Sequence, residues 1–423
     1  MVKTKSILLS EGILLIGFLF SFIFNLFAAE GNPPPDAKLS SLIQQTLDNN
    51  LDLKTGRKLW DAAKARVPQA KALDDPQIRV MWEGIPIGHN PSLQPNENTF
   101  RLSQMIPFPG KRDLKGKIAQ SEADIAKSQY DVREREVIAE VKRGYYSLYF
   151  ADKSIEINNI HIRHLRQLEE VARTRFAVGA TPLSDVLSAQ MELARRLNND
   201  LTLQQEKKLA EAKINVLLNR PLNSPVEVAA EIPTPTLNYS LETLQDLALQ
   251  NRPELQAARL GLKRGKFAYN LAKKQYYPDF MPMIDRMPGQ EGSGEWMFML
   301  TVNIPLFFKG KYDAGVEEAV AGIEASEAAY ESMKNQIFLE IQDLTIKLET
   351  DERTAELYRT TLIPQSEQGL EAATSAYETG RTDFSTIINS LMALENARFE
   401  YYRSLTLFQQ RLADLERAVG TLF

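Results

Sequence analysis

Apolar residues recur every seven positions through the middle of each half of the chain. Ile118, Ile125, Val132, Ala139 and Tyr146 form one series, and Val316, Ile323, Tyr330, Ile337 and Leu344 form another with the same spacing. A second seam follows in each half: Val141, Leu148, Ile155 and Ile162 in one, Ile341, Leu348, Ala355 and Leu362 in the other. Heptads of this length predict α-helices that pack along a shared seam, and two seams per helix give it neighbours on two faces. A continuous helix over residues 114–176 would be on the order of 90 Å long, well beyond the usual span of a globular helix.

Between these helical stretches the period changes from seven to two. In residues 295–304, Trp296, Phe298, Leu300, Val302 and Ile304 share one face, while Glu295, Met297, Met299, Thr301 and Asn303 share the other. Phe100 and Leu102 alternate in the same way with Arg101 and Ser103, so residues 98–106 also predict a strand. Residues 77–85 and 279–287 complete two strand pairs bounded by prolines. The last of these is the poorest strand, because Pro282 lacks a ladder donor and Asp285-Arg286 places two charges in a row. Each run is about as long as a tilted strand must be to cross a bilayer.

The two halves are copies. Asp75-Pro76-Gln77 resembles Tyr277-Pro278-Asp279, and Asn50-Leu51-Asp52-Leu53 resembles Arg252-Pro253-Glu254-Leu255. Ile106-Pro107-Phe108 recurs as Ile304-Pro305-Leu306, Gly110-Lys111 as Gly310-Lys311, and Phe176-Ala177-Val178-Gly179 as Tyr377-Glu378-Thr379-Gly380. We therefore divide the chain into an export signal at 1–29, a linker at 30–36, a first repeat at 37–235 and a second repeat at 236–423. In the first repeat, strands lie within about 77–106 and long helices within about 111–220; in the second, strands lie within about 279–304 and helices within about 311–420. The signal rests on Lys3 and Lys5, the apolar stretch from Gly12 to Ala29, and the break at Asn32-Pro33-Pro34-Pro35. No later stretch is apolar enough to span a membrane as a helix, so further insertion falls to strands.

Four strands cannot close a membrane barrel, and an open edge facing lipid leaves backbone N–H and C=O groups without partners. The fold class expected is therefore mostly α with a small β-barrel contribution, the barrel closed by several subunits. A soluble periplasmic coiled-coil scaffold is the alternative reading of the same heptads. Composition narrows the rest. Lys+Arg 50 against Asp+Glu 55, a net charge of -5, are spread along the chain and leave no basic stripe for nucleic acid. The chain has no cysteine and 3 histidines, which removes thiolate chemistry and leaves no recognisable catalytic constellation; it is read as no enzyme and without cofactor.

Two stretches carry a family resemblance: Gln104-Met105-Ile106-Pro107-Phe108-Pro109-Gly110-Lys111 and Ala376-Tyr377-Glu378-Thr379-Gly380-Arg381-Thr382-Asp383-Phe384. With their repeat partners in order, residues 37–423 resemble the TolC-type outer-membrane efflux proteins. That resemblance implies a homotrimer in the outer membrane, with a twelve-stranded barrel and an α-helical tunnel across the periplasm. It also implies two partners, a periplasmic adaptor (membrane fusion) protein and an inner-membrane pump of the RND type or similar. Within the family, the first stretch is most similar to the channels of cobalt, zinc, cadmium and copper efflux systems.

The resemblance places a periplasmic gate at the helical tips. Asp185 matches an acidic gate residue, Tyr377 the tyrosine before the turn glycine, and Arg381 with Thr382 brackets an arginine site. Thr386 and Asn389 stand where the family carries aspartates, which leaves Asp185 and Asp383 as the acidic candidates. We expect Asp185 and Tyr377 to meet as a hydrogen-bonded latch. Gly179 and Gly380 are expected at positive φ, reversing the chain at the two hairpin turns. Seven of the 11 methionines fall in the strand regions: Met81, Met105, Met281, Met283, Met287, Met297 and Met299. Thioethers can hold soft cations, but methionine is also an adaptable apolar residue, and we read these as packing of the wall. His161 and His164 share a helix face without a third ligand, so no metal site is expected there.

Overall fold

The computed structural model describes residues 37–82, 98–232, 236–287 and 294–422. The expected export signal and linker lie outside the described residues, as do residues 83–85 at the end of the first predicted strand. Each half opens with two helices, α1 (Ala37–Asn49) and α2 (Leu51–Lys71) in the first, α5 (Leu241–Asn251) and α6 (Pro253–Lys274) in the second. The Asn50 side chain caps α2, accepting from the N–H groups of Asp52 and Leu53, whereas α6 starts on Pro253, whose fixed φ suits a first turn.

The strands β1 (Gln77–Trp82), β2 (Asn98–Ser103), β3 (Asp279–Met287) and β4 (Glu295–Asn303) form one antiparallel sheet in the order β1-β2-β3-β4. Their register puts Ile78 opposite Leu102, Leu102 opposite Ile284 and Ile284 opposite Phe298, so an apolar row crosses one face of the sheet from edge to edge, with Arg286 on that face between Phe100 and Trp296. Phe298 on that face is 76% exposed in the subunit. The opposite face brings Arg101 against Asp285, and the guanidinium grips both carboxylate oxygens at 2.8 and 2.7 Å. This pair corrects the reading of 279–287 as a poor strand: Asp285 is 2% exposed and neutralised across the ladder. Pro282 is accommodated because its carbonyl still accepts from the Gln104 N–H at 3.2 Å.

The first long helix, α3 (Lys111–Ala177), runs unbroken for 67 residues, about 100 Å at 1.5 Å per residue. It returns as α4 (Leu183–Leu217). In the second half the heptads predict the same continuity, but the helix is interrupted. α7 (Asp313–Leu357) passes through a wider π-type turn at Tyr358–Leu362 into α8 (Ile363–Glu378), and α9 (Phe384–Val419) returns. Pro364, which has no N–H to give, sits in the first turn of α8 and accounts for the break. Val141, Leu148 and Ile162 of the second α3 seam are buried, as are Ile341, Leu348 and Ala355 of α7. Of the first seams, Ile118, Ile125, Ile323 and Tyr330 remain only half-buried in the single subunit.

Strand and helix meet at a junction in each half. At the first, Gly110 adopts φ 92°, and the buried Lys111 ammonium donates to Asp279 Oδ1 at 2.8 Å and to the Tyr277 carbonyl at 3.0 Å. Asp279 Oδ1 also accepts from the Phe108 N–H at 2.7 Å, and the Phe108 ring stacks on Tyr277. At the second, residues Phe308–Tyr312 form a π-type turn. Leu306, Phe307 and Phe308 stand exposed there.

Candidate functional site

Two hairpin tips lie at the ends of the long helices. Both turn on a glycine in the left-handed region, Gly179 at φ 72° and Gly380 at φ 71°. Their hydrogen bonds match position for position. The Gly179 N–H donates to Phe176 and the Ala180 N–H to Arg175; the Gly380 N–H donates to Tyr377 and the Arg381 N–H to Ala376. A side chain at either glycine would force an L-residue into a conformation it rarely adopts.

The two tips are packed together. Ala172, Val186, Ala189, Ala373, Tyr377, Phe384 and Ile387 form one small apolar cluster drawn from α3, α4, α8 and α9. Tyr377 is 3% exposed, and its hydroxyl donates to Asp185 Oδ2 at 3.3 Å. Burial, with the facing Asp185 carboxylate adding to it, raises the pKa of the phenol, so it stays protonated as the donor. A bond of this length to a half-buried carboxylate contributes about 1 kcal/mol. It joins the α3–α4 tip to the α8–α9 tip.

The remaining candidates do not join this contact. Asp383 caps α9, accepting from the Thr386 N–H at 3.0 Å and the Thr386 hydroxyl at 2.6 Å; the bonds from Thr386 hold its carboxyl below the usual range. Arg381 is exposed and donates to Thr379 Oγ1 within its own turn. Thr382 is half-buried in that turn, and Asn389 is exposed on α9. Two residues that the sequence reading did not assign complete the tip. The Arg175 guanidinium lies 4.8 Å from the Tyr377 ring centroid and donates to the Glu378 carbonyl, while Phe384 meets Tyr377 edge to face. Phe384 was within reach of the sequence, since Phe384, Ile387, Leu391 and Leu394 keep a three-four spacing along α9. Arg175 carried no such signal.

Higher up the wall, His161 is 2% exposed and its Nδ1 lies 2.7 Å from Glu395 Oε2. Arg196 ties Glu395 to Glu192, so α3, α4 and α9 share a buried polar knot. His164, three residues on, has its pKa lowered by burial and by the neighbouring His161.

A subunit with an amphipathic four-stranded sheet on a bundle of very long helices, gathered into paired tips far along the chain from the strands, is built as one segment of a membrane conduit. The chain belongs to the outer membrane efflux protein family, which matches residues 42–220 and 244–421. It is 21% identical over 387 residues to the cobalt-zinc-cadmium resistance protein CzcC of Cupriavidus metallidurans, covering 90% of this chain and 90% of that one. It is 25% identical over 425 residues to the outer membrane protein OprJ of Pseudomonas aeruginosa, covering 91% and 84%. Among solved structures, CusC superposes with a TM-score of 0.80 at 16% identity, covering 93% of this chain and 96% of that one. The outer membrane protein VceC of Vibrio cholerae superposes with 0.77 at 19% identity, covering 92% and 97%. The expected fold class holds: the chain is mostly helical, with four strands per subunit and the architecture of outer-membrane efflux proteins.

Proposed function

We propose that the protein is the outer-membrane channel subunit of a tripartite efflux pump, working as a homotrimer with a periplasmic adaptor and an inner-membrane pump of the RND type or similar. It is a passive conduit, not an enzyme, and passes metal ions, drugs or other small solutes outward. One observation carries this reading. The sheet is apolar on one face, polar on the other, and ends in two edge strands, β1 and β4, with no partner beyond them among the described residues. Strand edges in lipid must be paired, and copies of the same subunit supply the pairing by closing a ring. Three subunits contribute twelve strands. The half-buried first seams of α3 and α7 are then the surfaces on which neighbouring subunits pack to form the tunnel wall.

In this reading Asp185 and Tyr377 hold the tunnel end shut, and the adaptor opens it by separating the α3–α4 tip from the α8–α9 tip. The purified protein should run as a heat-modifiable trimer and conduct ions across a planar lipid bilayer; recovery as a soluble monomer that forms no pore would establish the scaffold reading instead. Asp185→Ala and Tyr377→Phe should each raise single-channel conductance. Conductance equal to the wild type in both variants would sink the latch while leaving the channel standing.

A further inference from the structure

The methionines of the second strand pair lie on the wrong face for apolar packing in a membrane wall. Met281, Met283 and Met287 of β3 and Met297 and Met299 of β4 all occupy the face that also carries Asp279, Asp285, Glu295, Thr301 and Asn303. The other face of the same two strands carries Phe280, Pro282, Ile284, Trp296, Phe298, Leu300 and Val302, with Arg286 towards one end and no methionine. An adaptable apolar side chain gains most by facing lipid, so wall packing would place at least some of these thioethers among the phenylalanines. None is there. The register puts all five on the face turned away from the aromatic side chains.

Met283 lies directly opposite Met299, and Met297 directly opposite Asp285. Side chains directly opposite in an antiparallel pair start about 5 Å apart, and positions two along are about 7 Å away, within reach of a long flexible side chain. Two thioethers from Met283 and Met299 can meet one ion, with Met281 or Met297 as a third donor. Of the carboxylates on this face, Asp285 has both oxygens bonded to Arg101, Asp279 is held by Lys111 and the Phe108 N–H, and Glu295 stands at the far end of β4 opposite Met287. The donors left beside Met283 and Met299 are the sulfurs of Met281 and Met297 and the Thr301 hydroxyl. Thioether sulfur selects soft monovalent cations such as silver(I) or copper(I) and is a poor ligand for harder divalent ions such as zinc.

We propose that the polar face of the β3–β4 pair is a thioether site for soft monovalent metal ions, centred on Met283 and Met299. The inference rests on the channel reading, in which this face lines the lumen. Closed into a trimer, the subunits set three such sites around the passage, where weak two- or three-sulfur ligation would raise the local concentration of the ion and still release it.

The test uses the full-length oligomer in detergent, carbon-13 labelled at its methionine methyls and titrated with silver nitrate, with each preparation also assayed in planar bilayers. The five strand methionines should shift, while the exposed Met191 on α4 should not, and zinc should move none of them. Met283→Leu with Met299→Leu keeps apolar bulk and should weaken silver binding roughly tenfold or more without changing nitrate conductance. Silent strand methyls, unchanged silver affinity in the double variant, or an equal response to zinc would each overturn the proposal. A pore that conducts yet ignores silver refutes this inference alone, whereas a preparation that forms no pore refutes the channel reading beneath it.

Discussion

The two strand-to-helix junctions carry the same Gly-Lys pair and fold differently. At the first, Gly110 turns the chain at positive φ and Lys111 is buried against Asp279, a residue of the other repeat. At the second, Gly310 sits inside a π-type turn and Lys311 is exposed, with no ion-pair partner among the described residues. The repeat partner of Asp279 is Gln77, so the acid that neutralises the first lysine exists only once in the chain. The difference teaches that the two copies have divided the labour. The first junction fastens the repeats to each other inside the subunit, and the second is left at its boundary.

That contrast can be broken from its strongest side. Asp279→Ala strands a buried ammonium and removes the acceptor of the Phe108 N–H, so it should lower the unfolding free energy by about 3 kcal/mol or more, read from denaturant unfolding of the purified protein. The glycines give the next largest separation. Gly110→Ala forces alanine to positive φ and should cost about 1–2 kcal/mol, whereas Gly310→Ala meets nothing within 4 Å and should stay within about 0.5 kcal/mol of wild type. Lys311→Ala, judged by the same unfolding curves, should be neutral within about 0.5 kcal/mol; a loss as large as that of Lys111→Ala would erase the distinction between the junctions.

The smallest effect is one of pH. Tyr276, beside the second junction, donates to Asp313, and that bond pushes its hydroxyl pKa up to about 12. Because the folded value lies above the unfolded one, the contribution is fully present below pH 10 and is lost as pH rises from there through about 12. Several buried tyrosines, Tyr377 among them, also ionise late, so Tyr276→Phe should remove one tyrosine's worth of phenolate absorbance from the late part of the titration and leave the rest. An unchanged titration would mean the Asp313 bond is not formed.

Much of this was readable before any fold was known. Periodicity located α3, α7, β2 and β4, because seven-residue and two-residue patterns record which side of an element is covered, while β1 and β3 were placed by their bounding prolines and the repeat. Gly179 and Gly380 were legible for a similar reason: a chain that must reverse between two helices needs a left-handed residue, and glycine marks it. Contacts between the repeats were harder. Arg101 and Asp285 are 184 positions apart, and Lys111 and Asp279 are 168 apart. No local pattern announces which lysine finds which acid. Asp285 even looked like a defect in its strand until the sheet order supplied its partner. At the tips, Asp185 and Tyr377 were named from resemblance and their contact is present, but Arg175 offered nothing to distinguish it from the other basic residues of a polar helix end. The heptads running up to Leu362 implied an uninterrupted helix, although Pro364 stands just beyond them. Packing on both sides was strong enough to carry the chain through a proline at the cost of regular pitch.

That wider turn at Tyr358–Leu362 sets the phase of everything beyond it. Each residue of an α-helix rotates the chain by about 100° around the axis. The positions of Ala373 and Tyr377 on the tip-facing side of α8 therefore depend on how many residues the π-type turn absorbs. Closing the turn to standard pitch with every one of its residues kept would swing the Tyr377 side chain about 100° away from Asp185, with every tip residue still present. Alignment of the two tips is thus indexed about four helical turns upstream of the tip itself, and only in the second repeat, since α3 reaches its own tip without such a turn.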